Sequence, residues 1–79
     1  MKAIVNGKLY DTEKARNITS LTEDGKEAFE IYITKKGNIF AVDVIKEIIL
    51  DSDKLKKLLE GKPKCTDAYI EIFGMPEEA

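Results

Sequence analysis

From Ala28 to Thr34 large apolar and polar side chains alternate, with Phe29, Ile31 and Ile33 on one face and Glu30, Tyr32 and Thr34 on the other. A period of two is the spacing of a strand with one face in a core, so the fold must contain a sheet with at least one covered side. Lys35-Lys36-Gly37-Asn38 has turn composition, and the run Ile39 to Val44 alternates again, with Phe40, Val42 and Val44 in step. A hairpin tip at Lys36-Gly37 sets Ile33 opposite Phe40, Ile31 opposite Val42 and Phe29 opposite Val44. These large side chains then share one face, and a slip of one residue would move half of them to the other.

Asn6-Gly7 is a pair that tolerates the positive φ angles of a type I′ turn. It predicts a hairpin over Lys2 to Tyr10 that pairs Ile4 with Leu9 and Ala3 with Tyr10. Asp11 follows as an N-cap, its carboxylate placed to accept from the free amides of a short helix through Thr12, Glu13, Lys14, Ala15, Arg16 and Ile18. Thr19 to Lys26, with Ser20, Thr22, Asp24 and Gly25, has loop composition. Val44, Ile45, Ile48 and Ile49 fit helical spacing, while their β-branching fits a short strand. A strand at about Glu47 to Leu50 is the reading taken, with helix left open. Asp51-Ser52-Asp53 supplies caps and negative charge at a helix start, Leu55, Leu58 and Leu59 form its apolar stripe, and Gly61 closes it. Thr66 is placed to cap a last short helix carrying Tyr69, Ile70, Ile72 and Phe73, stopped by Gly74 and Pro76. The expected class is α+β: a small antiparallel sheet of four or five strands, made of two hairpins plus one strand, covered by one main helix and short flanking helices.

Seventy-nine residues hold one core, so residues 1–79 read as a single domain. With 43% hydrophobic residues, two prolines and five glycines, the chain is too apolar and too regularly patterned to be disordered, in spite of 35% charged residues. A core this small contributes no more than about 3–5 kcal/mol, and chains of this size often lean on staples. The sole cysteine, Cys65, forms no internal disulfide, which leaves association into a homo-oligomer as a route to further stability. No signal-peptide pattern opens the chain and no apolar run approaches the roughly 18 residues of a membrane span, so the expectation is a cytoplasmic protein away from membranes. Fifteen acidic and thirteen basic residues, net −2, are interspersed and create no global field for nucleic acid or anionic lipid. Lys54, Lys56, Lys57, Lys62 and Lys64 form a local exception, diluted by Asp51, Asp53 and Glu60 into what reads as a solvated helix face.

Histidine is absent, which removes the commonest general base, the commonest zinc ligand and the pH switch together. Cys65 has no histidine to activate it and no second thiol for a redox or zinc pair. Ser20 and Ser52 stand outside any Gly-x-Ser-x-Gly elbow. Asp51 and Asp53 resemble only the first positions of a calcium-binding loop, without its later glycine and glutamate, and helix capping explains them. The scattered glycines make no phosphate-cradling motif and are accounted for by turns and caps. The expectation is a protein that is not an enzyme, needs no cofactor and no metal, and works by binding. The candidate contact residues are Tyr32, Lys35, Lys36, Asn38 and Phe40, because they cluster on one hairpin and include aromatic residues, which anchor interfaces at low entropy cost.

Ile4-Val5-Asn6-Gly7-Lys8-Leu9-Tyr10-Asp11-Thr12-Glu13-Lys14-Ala15 resembles the opening "INGKxYDTETA" of a group of small proteins carried by phages and integrated elements of Gram-positive bacteria. Ile31 to Phe40 is similar to the group's "LYRTKKGNWF" hairpin, and Ala68 to Gly74 to its closing "EYIEIFG". The chain departs from the group in having Val42-Asp43-Val44 and Leu58-Leu59 where a glycine-rich segment and tryptophans are common. Several inhibitors of CRISPR-Cas effectors come from or sit beside this group. The resemblance therefore implies a protein of the bacterial host cytoplasm that disables a defence complex, a Cas effector foremost, by direct contact and with no catalytic residue. A nucleic-acid-associated regulatory module and a self-assembling accessory protein are the alternatives. Direct nucleic-acid binding is disfavoured because Arg16 is the sole arginine.

Overall fold

The computed structural model describes residues 1–23 and 26–79. Asn6 and Gly7 take φ angles of 51° and 76°, and between them they close a hairpin of β1 (Lys2–Val5) and β2 (Lys8–Asp11). Its register is the one the Asn-Gly pair predicts, with Ala3 facing Tyr10 and Ile4 facing Leu9. These two strands form their own sheet. The second sheet runs in the order β3 (Arg16–Glu23), β4 (Lys26–Ile33), β5 (Ile39–Asp43), β6 (Ile48–Ile49), every neighbour antiparallel. Two helices, α1 (Ser52–Leu59) and α2 (Thr66–Phe73), follow it, joined through a 3-10 turn at Pro63–Cys65. The α+β class stands, with six strands in two sheets among the described residues.

The central hairpin is one residue out of the expected register. Ile33 faces Ile39, Tyr32 faces Phe40, Ile31 faces Ala41 and Phe29 faces Asp43. The cause lies in the loop. Thr34 and Asn38 remain paired, the Thr34 amide donating to the Asn38 carbonyl at 2.9 Å, so the tip has three residues, Lys35-Lys36-Gly37, rather than the expected two. Gly37 at φ 88° supplies the left-handed residue that a three-residue loop requires. Phe40 and Val42 consequently leave the face of Phe29 and Ile31 for the opposite one, and Val44, expected inside, is 68% exposed. The slip exposes few side chains because both faces are covered. On one, Leu21, Phe29, Ile31 and Ala41 pack with Leu55, Leu59, Cys65 and Ala68 from the helical segment. On the other, Phe40 and Val42 pack with Tyr10, under the N-terminal hairpin.

Three further expectations are corrected. Asp11 starts no helix: its Oδ1 accepts from the Glu13 amide at 3.0 Å and its carbonyl from the amides of Lys14 and Ala15, which makes a single turn that feeds directly into β3. Thr19 to Glu23, expected as loop, lies in β3, while Asp24 and Gly25 fall outside the described residues. Thr66 begins α2 but makes no capping bond; Cys65 occupies the cap position. The strand expected at Glu47 to Leu50 is present as Ile48–Ile49, and Asp51 caps α1 as expected, accepting from the Asp53 amide at 2.9 Å. β3 is the edge of the larger sheet, and its pairing with β4 is broken twice, between Asn17 and Thr19 and between Leu21 and Thr22.

The β5–β6 connection repeats the three-residue geometry of the central hairpin. The Asp43 amide donates to the Glu47 carbonyl, the Asp43 carboxylate accepts from the amides of Ile45 and Glu47, and the left-handed position falls on Lys46 at φ 66°. A side chain there costs roughly 1–2 kcal/mol, and glycine returns about 0.5–1 kcal/mol of that as unfolded-state entropy. Lys46→Gly is therefore expected to raise stability by about 0.5–1 kcal/mol, read as a higher urea midpoint at unchanged slope.

Candidate functional site

The tips of two hairpins converge. The Asn6-Gly7 turn with the start of β2, the turn after Asp11, and the Thr34–Asn38 loop together line a cleft of about 560 Å³. Lys8 and Lys14 stand on one wall and Lys35 and Lys36 on the other, all four exposed. None of the four forms an ion pair within 4 Å among the described residues, where Arg16 with Glu71, at 2.9 Å, is the one such pair. In a chain of net charge −2 this is a local concentration of positive charge. Interspersed sequence positions hide it, because Lys8 and Lys14 belong to one end of the chain and Lys35 and Lys36 to its middle.

Asp11 also lines the cleft, only 6% exposed. Its Oδ1 is engaged by the Glu13 amide, while its Oδ2 is buried and accepts from no group among the described residues. A buried acceptor left in that condition costs about 1–3 kcal/mol. Asn38 completes the far wall; its amide is used inside the loop, donating to Thr34 Oγ1 at 3.0 Å.

Of the five contact residues expected from sequence, Lys35, Lys36 and Asn38 reach this surface. Phe40 does not: it is fully buried, edge-on to Tyr10 with ring centroids 5.3 Å apart. Tyr32 is half-buried and stacked on Phe40 at 5.3 Å and 16°, its hydroxyl donating to the Glu30 carboxylate. Its ring therefore belongs to the second core. Sequence reasoning missed Lys8, Asp11 and Lys14 as members of a site, since only the docking of the N-terminal hairpin brings them to the loop. It also missed the exposed apolar pairs, Ile4 facing Leu9 across the first hairpin and Val44-Ile45 at the β5–β6 turn.

A second, more open groove of about 850 Å³ runs between Leu59, Pro63, Tyr69, Ile70 and the C-terminal segment at Pro76. Cys65 is fully buried in the main core. Among the described residues no cluster of three or more His, Cys, Asp or Glu side chains is placed to hold a metal, and no helix is long and apolar enough to cross a membrane. The fold is that of a small α+β protein, with a cleft between two hairpin tips that is rimmed by four lysines. No protein-family model, curated protein or solved structure matches the chain.

Proposed function

We propose that this chain is a non-catalytic binding protein of a phage or other mobile element, which disables a bacterial defence complex, a CRISPR-Cas effector foremost, by direct protein contact at the lysine-rimmed cleft. The observation that carries the reading is which residues build the cleft. Lys8, Tyr10 and Asp11 come from the segment that resembles "INGKxYDTETA", and Lys35, Lys36 and Asn38 from the one that resembles "LYRTKKGNWF". Two stretches that resemble one group are thus folded into one surface, and their lysines are spent on no internal ion pair among the described residues. Interfaces are assembled from rigid elements with a buried scaffold behind them, which the Tyr10, Phe40 and Tyr32 stack supplies here.

The test is co-expression in bacteria that carry different active CRISPR-Cas systems, scored by rescue of a targeted phage or plasmid and by affinity purification from the same cells. Rescue with one system and one-to-one recovery of its effector is the expected result. Absence of rescue with every system, together with recovery of nucleic acid that falls steeply with salt, would replace this reading with that of a regulatory nucleic-acid module.

A further inference from the structure

The four lysines define half of a ligand. An ammonium has three donors and no acceptor, so the group that enters must present acceptors and negative charge, which carboxylates and phosphates both do. Asp11 defines the other half. Its carboxylate lies among the residues lining the cleft, and its charge repels an anion brought within a few ångströms. A phosphodiester backbone brings negative charge at every unit. A peptide segment rich in aspartate or glutamate carries its charge on spaced side chains, so carboxylates can meet the lysines while uncharged backbone passes Asp11.

Two other observations point the same way. Planar bidentate recognition of phosphate is the province of arginine, and the sole arginine, Arg16, is paired with Glu71 on α2 and does not line the cleft. A volume of about 560 Å³ is that of a small-ligand pocket, able to take a few side chains, whereas nucleic acid is tracked along an extended groove. We infer that the cleft between the two hairpin tips binds an acidic peptide segment, its carboxylates meeting Lys8, Lys14, Lys35 and Lys36. As the contact that the partner makes, this rests on the inhibitor reading; as a binding site it stands on the cleft alone.

The isotope-labelled intact chain, followed by amide NMR, is titrated separately with a capped hexaglutamate peptide, with inorganic phosphate and with a short oligothymidylate. The expected result is saturable movement of the amides of Lys8, Asp11, Lys14 and the Lys35 to Asn38 loop, with the peptide acting at about tenfold lower concentration than either phosphate probe. The double variant Lys35→Glu, Lys36→Glu, both sites being exposed, should keep the dispersed spectrum and lose at least about tenfold in peptide affinity. Tighter binding of the oligonucleotide or of phosphate would overturn the assignment, and so would the absence of saturable movement with the peptide. The two readings fail separately. Peptide binding without rescue in any bacterial system sinks the inhibitor proposal and leaves the site. Rescue that survives in the double variant, with no peptide binding by the parent chain, sinks the site and leaves the inhibitor.

Discussion

Phe40→Ala is expected to lower stability by about 3–5 kcal/mol, the range for deleting a fully buried phenylalanine. A chain of this length has a total of about 4–12 kcal/mol, so the variant should lose a large fraction of its stability at room temperature. The size of the effect follows from position. Phe40 is completely buried and lies against Tyr10 on one side and Tyr32 on the other, so its ring is, with Val42, at the centre of the cluster that joins the N-terminal hairpin to the large sheet. Its loss leaves β1 and β2 as a two-stranded ribbon with little to dock against, and such ribbons are at best marginally stable alone. Hydrogen exchange should show the amides of β1 and β2 losing protection first, while those facing the helices hold on longer. Val44→Ala is the control that separates the two registers. In the register expected from sequence it would empty a core position, whereas at 68% exposure the change should stay within about 0.5 kcal/mol. Equilibrium urea unfolding of both variants decides the matter, and a large loss from Val44→Ala with a small one from Phe40→Ala would refute the pairing described above.

Leu59→Ala should cost about 2–5 kcal/mol and act on the other face. The helix α1 has eight residues, far below the roughly 12–15 at which an isolated helix holds even in favourable sequences. Asp51 contributes a cap worth about 1 kcal/mol, so the remainder of its stability comes from burial. Leu55 and Leu59 are the two residues of α1 that are fully inside the core, at 3% and 2% exposure, packed with Ile31, Ala41, Cys65 and Ala68. Truncating Leu59 removes one of two anchors and loosens the start of the segment that leads to α2. The expected signature is a fall in helical circular dichroism at denaturant concentrations where the β1–β2 hairpin still protects its amides. Simultaneous loss of both signals, in either variant, would show that the two cores unfold as one unit.

The contrast between these residues explains how far the sequence could be read. Strand β4 was legible because its inward positions, Phe29 and Ile31, are large and its neighbours polar or amphipathic, so period two has one reading. Strand β5 was not. Ile39 and Ala41 make one apolar face and Phe40 and Val42 another, so alternation places the strand correctly but cannot say which face meets the helices. Size argued for Phe40, and the loop decided for Ala41, because a tip of three residues rather than two inverts every side chain beyond it. Strand β3 was hidden by its own bulges. Ile18 and Leu21, both turned to the main core, are three positions apart, a spacing that belongs to helices and arises in a strand only where pairing is interrupted. Its remaining residues are polar because one face of an edge strand meets water. The α1 helix, by contrast, carries cap, stripe and stop in their expected places, and all were legible.

The candidate site was legible by half. Lys35, Lys36 and Asn38 lie close together in the chain at a recognisable hairpin tip, and turn composition alone is enough to single them out. Lys8, Asp11 and Lys14 join them only through the docking of one hairpin on another, a contact whose energy resides in Tyr10 and Phe40 rather than in the lysines. No local pattern records such a meeting. The aromatic members of the expected site, Tyr32 and Phe40, were drawn from the same hairpin and turn out to be the scaffold behind it.

The interrupted pairing of β3 has a bearing on how the protein behaves when crowded. A flat eight-residue strand with one side unpaired is a template on which a second chain can add, and fibrous assembly grows by repetition of that step. Two register faults within those eight residues, with the Asn17 side-chain amide donating to the carbonyls of Thr19 and Ile31, curl the ladder and spoil its periodicity. An edge interrupted in this way offers no regular ladder on which further copies of the chain could add.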